Sequence, residues 1–138
     1  MYIAVTLTRA KCAVLMIRRG HPNALAITRN IAVSYNCHGL CFASRRAIIS
    51  EPSEVEKILN DDNYQKINIA QILPGDIIIY RSKHDRPLHS AIFVEAYSNN
   101  NLYPKVISKW GPAGKEVVHH YHDCPYPTGN IEFRRFTP

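Results

Sequence analysis

The sequence predicts a single α+β domain in which N-terminal helices pack on an antiparallel sheet. Its 138 residues are enough for one hydrophobic core. Helix-like spacing of apolar residues runs through positions 36–59, and short β-branched segments separated by turns follow it. Helices that precede a series of antiparallel strands, and stay segregated from them, are typical of the α+β class.

The first predicted helix spans about residues 37–49. Apolar residues recur there at spacings of three and four and would share one helix face. They are Cys37, Leu40, Cys41, Ala43, Ala47 and Ile48. Asn36 is a favourable N-cap for this helix, because its side-chain oxygen can accept hydrogen bonds from free backbone N–H groups. A second, short helix is predicted from a capping box at Ser53–Glu56 to about Leu59.

The strands are expected after these helices. A turn at Leu73–Asp76 leads into the run Ile77–Tyr80, which is β-branched and has the length of a buried strand. Further strands are predicted at His89–Tyr97, Lys105–Trp110 and Asn130–Phe136. Since turns or polar loops connect these segments, they are expected to form an antiparallel meander.

Residues 1–34 are expected to form a variable basic extension before a domain of residues 35–138. Within the extension, residues Met1–Leu7 alternate like a strand and Gly20–Asn23 give a turn signal. Residues 1–50 contain seven Lys or Arg and neither Asp nor Glu. Such a region would suit an anionic surface of cell wall, nucleic acid or lipid head groups, with a solvated arm or a transit peptide as alternatives.

The apolar segments predict neither a membrane span nor a secretion signal. The run Cys12–Ile17 is far shorter than the roughly 20 residues that a transmembrane helix needs, and arginines follow it. The default expectation is therefore a cytoplasmic protein. The four cysteines show no Cys-x-x-Cys spacing, so free thiols are expected. The oligomeric state is left open.

Cys37 and His89 are the candidate catalytic pair. Cys37 occupies the first position of the predicted helix, where free N–H groups and the helix dipole favour a thiolate. His89 begins a strand after a polar loop, so its ring can reach a thiol on a packed helix and act as general base. The alternatives are a buried free thiol at Cys37 and a surface histidine at His89. Cys41 is more simply explained as a packed apolar residue.

Three motifs follow one another in a specific order. They are Asn-Cys-His-Gly at Asn36–Gly39, Pro-Gly-Asp at Pro74–Asp76 and His-Ser-Ala-Ile at His89–Ile92. This order resembles the NlpC/P60 superfamily of papain-like cysteine peptidases. The chain is most similar to small uncharacterised bacterial members that add a Ser-Lys-Trp-Gly motif, here Ser108–Gly111, and a His-rich segment, here His119-His120.

The resemblance implies a papain-like fold and a cysteine hydrolase that cleaves an amide bond through a thioacyl intermediate on Cys37. The implied substrate is a peptide or a peptidoglycan stem peptide. The resemblance also implies a third polar residue that orients the ring of His89. Ser108 is the favoured candidate for this role, and Lys109, His119 and His120 are its rivals.

The remaining expectations concern the oxyanion hole and the substrate pocket. Oxyanion donors are expected from the backbone N–H of Cys37 and from the side chain of Asn36 or Tyr35. Trp110 is expected in the core or in the wall of the substrate pocket.

Other functions are less well supported by the sequence. His120, His122 and Cys124 would share one face of a strand, but structural zinc sites usually draw ligands from two separated segments. A polar loop is therefore favoured at residues 119–124, and no metal or other cofactor is expected. A silent binding or metal-binding module and a lipid acyltransferase resembling lecithin:retinol acyltransferase are the alternatives. No recognition motif accompanies the basic residues, so no specific nucleic-acid partner is expected.

Overall fold

The computed structural model of the chain describes residues 24–29, 32–96, 104–111 and 114–138. They form an α+β fold with two α-helices and an antiparallel sheet of seven strands, which confirms the predicted fold class. The predicted strand at residues 1–7 and the predicted turn at residues 20–23 lie outside the described residues.

The helices are α1 (Cys37–Phe42) and α2 (Pro52–Asp61), and a 3-10 turn covers Ile69–Gln71. The strands in chain order are β1 (Ala24–Arg29), β2 (Tyr64–Ile67), β3 (Ile77–Arg81), β4 (Pro87–Phe93), β5 (Lys105–Lys109), β6 (Glu116–His120) and β7 (Ile131–Phe136). They are arranged in the order β1-β6-β5-β4-β3-β7-β2, so that β4 lies at the centre of the sheet.

Each face of the sheet carries its own hydrophobic core. On one face, Val55 and Leu59 of α2 pack against Ile77 and Ile79 of β3, and residues of α1 join them. On the opposite face, side chains of β3, β4 and β5 pack against the segment that connects β6 to β7. The buried members of this second core are Ile72, Ile78, Tyr80, Ala91, Phe93 and Val106.

Helix α1 ends seven residues before the predicted helix does, at Phe42 rather than at residue 49. Ser44 and Arg45 have φ values of 50° and 66°, a left-handed conformation that cannot continue a right-handed helix. Ala47 and Ile48 therefore lie outside the helix. The predicted extension to residue 49 was wrong because the chain turns back here.

The turn returns the chain to the start of α1, where Asn36 holds it. The Asn36 Oδ1 atom accepts hydrogen bonds from the backbone N–H of Gly39 (2.9 Å) and of Ile49 (3.1 Å), and Nδ2 donates to the Ile49 carbonyl (2.8 Å). Asn36 is thus the N-cap, as predicted. A Cβ atom on Gly39 would lie 1.8 Å from the carbonyl oxygen of Ala47. Only glycine allows this approach.

The capping box predicted for the second helix is not formed. Helix α2 begins at Pro52, and its N-cap residue Glu51 makes no side-chain cap hydrogen bond. A capping box is present instead at the 3-10 turn, where Asn68 and Gln71 exchange hydrogen bonds with each other's backbone.

Several strands differ from the predicted set. Strand β4 covers Pro87–Phe93 and is shorter at its end than the predicted segment 89–97. Strands β2 and β6 were not predicted, and His119 and His120 belong to β6 rather than to a polar loop. Strand β1, from the predicted extension, pairs with β6.

Candidate active site

Cys37 is the first residue of α1 and is buried, with 7% of its surface exposed. Burial raises the pKa of the Cys37 thiol above its usual value, so the thiolate expected at the helix start is not favoured at rest, although hydrogen bonds from the backbone N–H groups of Ser90, His38 and Cys37 itself lower the pKa in part. The positive charge of Lys109 also lowers the pKa of Cys37. These backbone donors converge on the position where negative charge forms when a thiol reacts.

Ser90 on β4 is the main contact between the sheet and the start of α1. Its Oγ atom lies 2.7 Å from Nδ1 of His38, and its backbone N–H approaches the Cys37 sulfur. Because successive side chains of a strand point to opposite faces, Ser90 faces α1 and His89 faces the other core. The pairing of His89 with Tyr80 agrees with this placement, since Tyr80 belongs to that second core.

The His89 ring is fully buried between aromatic side chains. It stacks on Tyr126 with ring centroids 3.7 Å apart and planes 7° from parallel, and Tyr80 lies 5.2 Å away. Neither Nδ1 nor Nε2 of His89 has a hydrogen-bond partner in the described part of the chain. Buried ring nitrogens are normally paired, so this residue calls for a specific explanation.

The environment of His89 favours its neutral form. Burial lowers the pKa of His89 well below its usual value, and positive charge on His119 or His38 lowers it further. A neutral imidazole at pH 7 has one nitrogen that can accept a proton.

The predicted pair is therefore not hydrogen-bonded, since the His89 ring faces the core opposite to α1. His89 precedes Ser90, whose backbone N–H contacts Cys37, but its ring makes no hydrogen bond with the sulfur in the part of the chain described. A proton transfer between the two residues requires the His89 ring to leave both its stack with Tyr126 and the second core, which lies on the face of the sheet opposite to α1.

Ser108 binds His119, and its predicted hydrogen bond to His89 is not formed. The indole N–H of Trp110 donates to Ser108 Oγ (3.1 Å), which lies 2.7 Å from Nε2 of His119. Nδ1 of His119 lies 2.7 Å from the carbonyl oxygen of His120. Because a carbonyl only accepts, Nδ1 carries the proton and Nε2 accepts from the Ser108 hydroxyl. The four residues form one directed chain of hydrogen bonds.

A buried charged cluster lies beside the start of α1. The hydroxyl of Tyr35 donates to Glu116 (3.0 Å), and Arg45 forms an ion pair with the same carboxylate at 2.6 Å. The Lys109 ammonium lies 4.8 Å from the centre of the Tyr35 ring. These contacts place positive charge next to Cys37.

The two side chains predicted as oxyanion donors have other partners. The Asn36 amide is bonded to Ile49, and the Tyr35 hydroxyl is bonded to Glu116. The backbone N–H groups of His38 and Ser90 are the additional donors near the Cys37 sulfur. Sequence reasoning did not identify Ser90 or Tyr126, although Ser90 lies inside the His-Ser-Ala-Ile motif. Tyr126 has no sequence signal, because it reaches His89 through the connection between distant strands.

No protein-family model matches the chain, and neither a curated protein nor a solved structure matches it. In the described ranges, no group of three or more His, Cys, Asp or Glu side chains is arranged to hold a metal ion. No helix among these residues is long and apolar enough to cross a bilayer.

Proposed function

We propose that the protein is a papain-like cysteine hydrolase of the NlpC/P60 type, which cleaves an amide bond through a thioacyl intermediate on Cys37. The observation that carries the proposal is the buried His89 ring, whose two nitrogens have no partner among the described residues. His89 precedes Ser90, the residue whose backbone contacts the Cys37 sulfur. An unpaired buried imidazole on the strand that contacts the thiol fits a base that is reserved for chemistry.

The first half of the reaction transfers the acyl group to the enzyme. Neutral His89 takes the thiol proton, and the Cys37 sulfur forms a bond to the carbonyl carbon of the substrate. The backbone N–H groups of His38 and Ser90 are close enough to this sulfur to serve as donors to the oxyanion. The His89 imidazolium then gives its proton to the amine nitrogen, the C–N bond breaks and the amine leaves.

Water completes the cycle. His89 takes a proton from the attacking water, the oxygen forms a bond to the acyl carbon, and the C–S bond breaks. The Cys37 sulfur recovers the proton as the carboxylic acid is released. Each turnover consumes one water molecule.

Tyr126 must move for His89 to act in this way. It belongs to the connection between β6 and β7, and its ring covers the imidazole. Peptidoglycan stem peptides are the favoured substrate class, because the basic residues of positions 1–50 suit an anionic wall polymer.

The test is hydrolysis of a mixture of peptidoglycan stem peptides, followed by mass spectrometry of the released fragments. Cys37→Ala should lower the rate by at least about 10³-fold, because the nucleophile is lost. Cys41→Ala is the matched control, since Cys41 lies one turn later on α1, and it should keep most of the activity. Equal rates for the wild-type protein and Cys37→Ala would overturn the proposal.

A catalytically silent binding module is the second candidate. It is favoured by the stack of Tyr126 on His89, in which the imidazole makes no hydrogen bond with the Cys37 sulfur. On this alternative, stem peptides would bind equally well to the wild-type protein and to Cys37→Ala, and neither protein would cleave them. Calorimetric titration of both proteins distinguishes the two functions.

A further inference from the structure

Lys109 is a lysine with no exposed surface, at the last position of β5. Lysine is almost never fully buried unless its charge is compensated. The Nζ atom donates to the carbonyl oxygen of Gly111 (3.2 Å) and lies 4.8 Å from the centre of the Tyr35 ring. The carbonyl dipole and the aromatic face both stabilise an ammonium.

The position of this ammonium is defined by its contact with Tyr35, the residue two places before Cys37. Helix α1, whose first residue is Cys37, packs on β5 as well as on β4. Lys109 and Cys37 each shift the pKa of the other. Burial lowers the pKa of Lys109, whereas negative charge on Cys37 or Glu116 raises it.

We propose that Lys109 is a positioning residue, the counter-ion that stabilises the Cys37 thiolate when the thiol gives up its proton. The proposal rests on the proposed role of Cys37 as nucleophile and assigns the group that supports its ionised form. The S–H bond breaks, the proton goes to His89 or to water, and Lys109 remains an ammonium throughout. Lys109 thereby supplies a positive charge that His89, which is buried and neutral, does not supply at rest.

The other titratable groups that surround Cys37 are neutral at pH 7 or are paired. Burial lowers the pKa of His38 to about 4 and raises the pKa of Tyr126 to about 12. Burial also raises the pKa of Cys41, on the next turn of α1. The Glu116 carboxylate on β6 is held by Arg45 at 2.6 Å. Among these described neighbours, Lys109 is the one whose charge favours the thiolate.

The test is the pH dependence of Cys37 alkylation by iodoacetamide, with peptide mapping to follow Cys37 separately from the other cysteines. Lys109→Met should raise the midpoint of this profile by at least about one pH unit, which slows alkylation about tenfold at neutral pH. Lys109→Arg should keep the wild-type midpoint, because the positive charge is retained. A loss of packing alone would not give this difference between Met and Arg.

Lys105→Met is the matched control. Lys105 lies on the same strand and pairs with Glu95 at 3.2 Å, so its loss should leave the Cys37 midpoint unchanged. If Lys109→Met does not fold, Lys109→Gln replaces it, since its amide can still donate to the Gly111 carbonyl. An unchanged midpoint in the folded, uncharged variant would overturn the proposal.

Alkylation requires no substrate, which separates this test from that of the proposed function. If the protein does not hydrolyse stem peptides but the Lys109 variants shift the midpoint, the role of Lys109 beside Cys37 is supported and the proposed reaction is overturned. If the protein hydrolyses stem peptides but the midpoint does not shift, the reaction is supported and the role of Lys109 is overturned.

Discussion

His89 is the residue whose environment is hardest to explain by structure alone. An imidazole stacked on Tyr126 and lying near Tyr80 packs as an aromatic ring, and a phenyl ring would fill the same space. Its two nitrogens are buried without a partner in the described ranges, which costs about 1–3 kcal/mol for each unsatisfied group. A residue that lowers stability in this way fits a functional role.

His89→Phe is therefore expected to stabilise the fold and to inactivate the protein. The free energy of unfolding should rise by at least about 2 kcal/mol, because two unpaired polar atoms leave the core. Hydrolysis should fall by at least about 10²-fold, because the general base is lost. Urea unfolding and stem-peptide hydrolysis measure the two effects.

His84→Phe is the control, since His84 is exposed in the loop before β4 and should change neither quantity. A large destabilisation of His89→Phe would show that the ring nitrogens have partners in solution and would contradict this account of His89.

The sequence predicted Cys37 and His89 from local features, namely a capping Asn36 before the cysteine and an expected strand start at the histidine. The strand begins two residues earlier, at Pro87. The partners of these residues were not predictable in the same way. Ser108 was predicted to orient the His89 ring because it follows His89 on the next predicted strand. The pairing of β5 with β6 instead places Ser108 in hydrogen-bond contact with His119. Lys109 lies against Tyr35, which is distant in sequence.

At the scale of elements, α1 depends on a close contact between its first turn and the returning chain. A Cβ atom at Gly39 would meet the Ala47 carbonyl oxygen at 1.8 Å and the Tyr35 Cβ at 3.2 Å. Neither group can move without shifting the residues that surround Cys37. The glycine of the Asn-Cys-His-Gly motif is thus required by backbone packing.

Gly39→Ala should lower the free energy of unfolding by about 1–3 kcal/mol, the usual cost of overpacking. It should also reduce alkylation and hydrolysis at Cys37, because α1 is displaced. Gly129→Ala is the matched control, since its Cβ would lie in open space and should leave stability nearly unchanged. Urea unfolding of both variants decides the matter, and equal stabilities would contradict the predicted clash.

The elements also show where sequence patterns stop being informative. Strand β3 was predictable because its run of β-branched residues is typical of a buried strand. The apolar spacing that extends to Ala47 and Ile48 suggested a longer helix, but tertiary contacts of Asn36 and Arg45 turn the chain earlier. Strand β2 is half polar and owes its conformation to pairing with β7 near the other end of the chain.

At the scale of the whole molecule, buried histidines couple protonation to folding. Burial lowers the pKa of His38 to about 4 and the pKa of His89 well below 6.5 in the folded protein. As the pH falls below about 6.5, these histidines take up protons in the unfolded chain while they stay neutral in the folded protein, so protonation favours unfolding. Stability is full above this pH and decreases towards pH 4.

We expect the free energy of unfolding to fall by about 3–4 kcal/mol between pH 7 and pH 5, about 2 kcal/mol for each of the two histidines. Urea unfolding across this range measures the effect. Hydrogen bonds and ion pairs with Arg81 help to keep the pKa of Glu132 below its usual value, so this carboxylate contributes only at lower pH. His89→Phe should flatten the profile, and a wild-type profile that is flat from pH 7 to pH 5 would contradict the burial of these rings.

The measurement that tests the central claim most directly is mass analysis of the protein after brief mixing with stem peptides and acid quenching. If Cys37 is the nucleophile, the peptide that contains Cys37 should carry an acyl adduct in the wild-type protein and none in Cys37→Ala. Cleavage of the stem peptides without any adduct on Cys37, and at the same rate in Cys37→Ala, would contradict this claim.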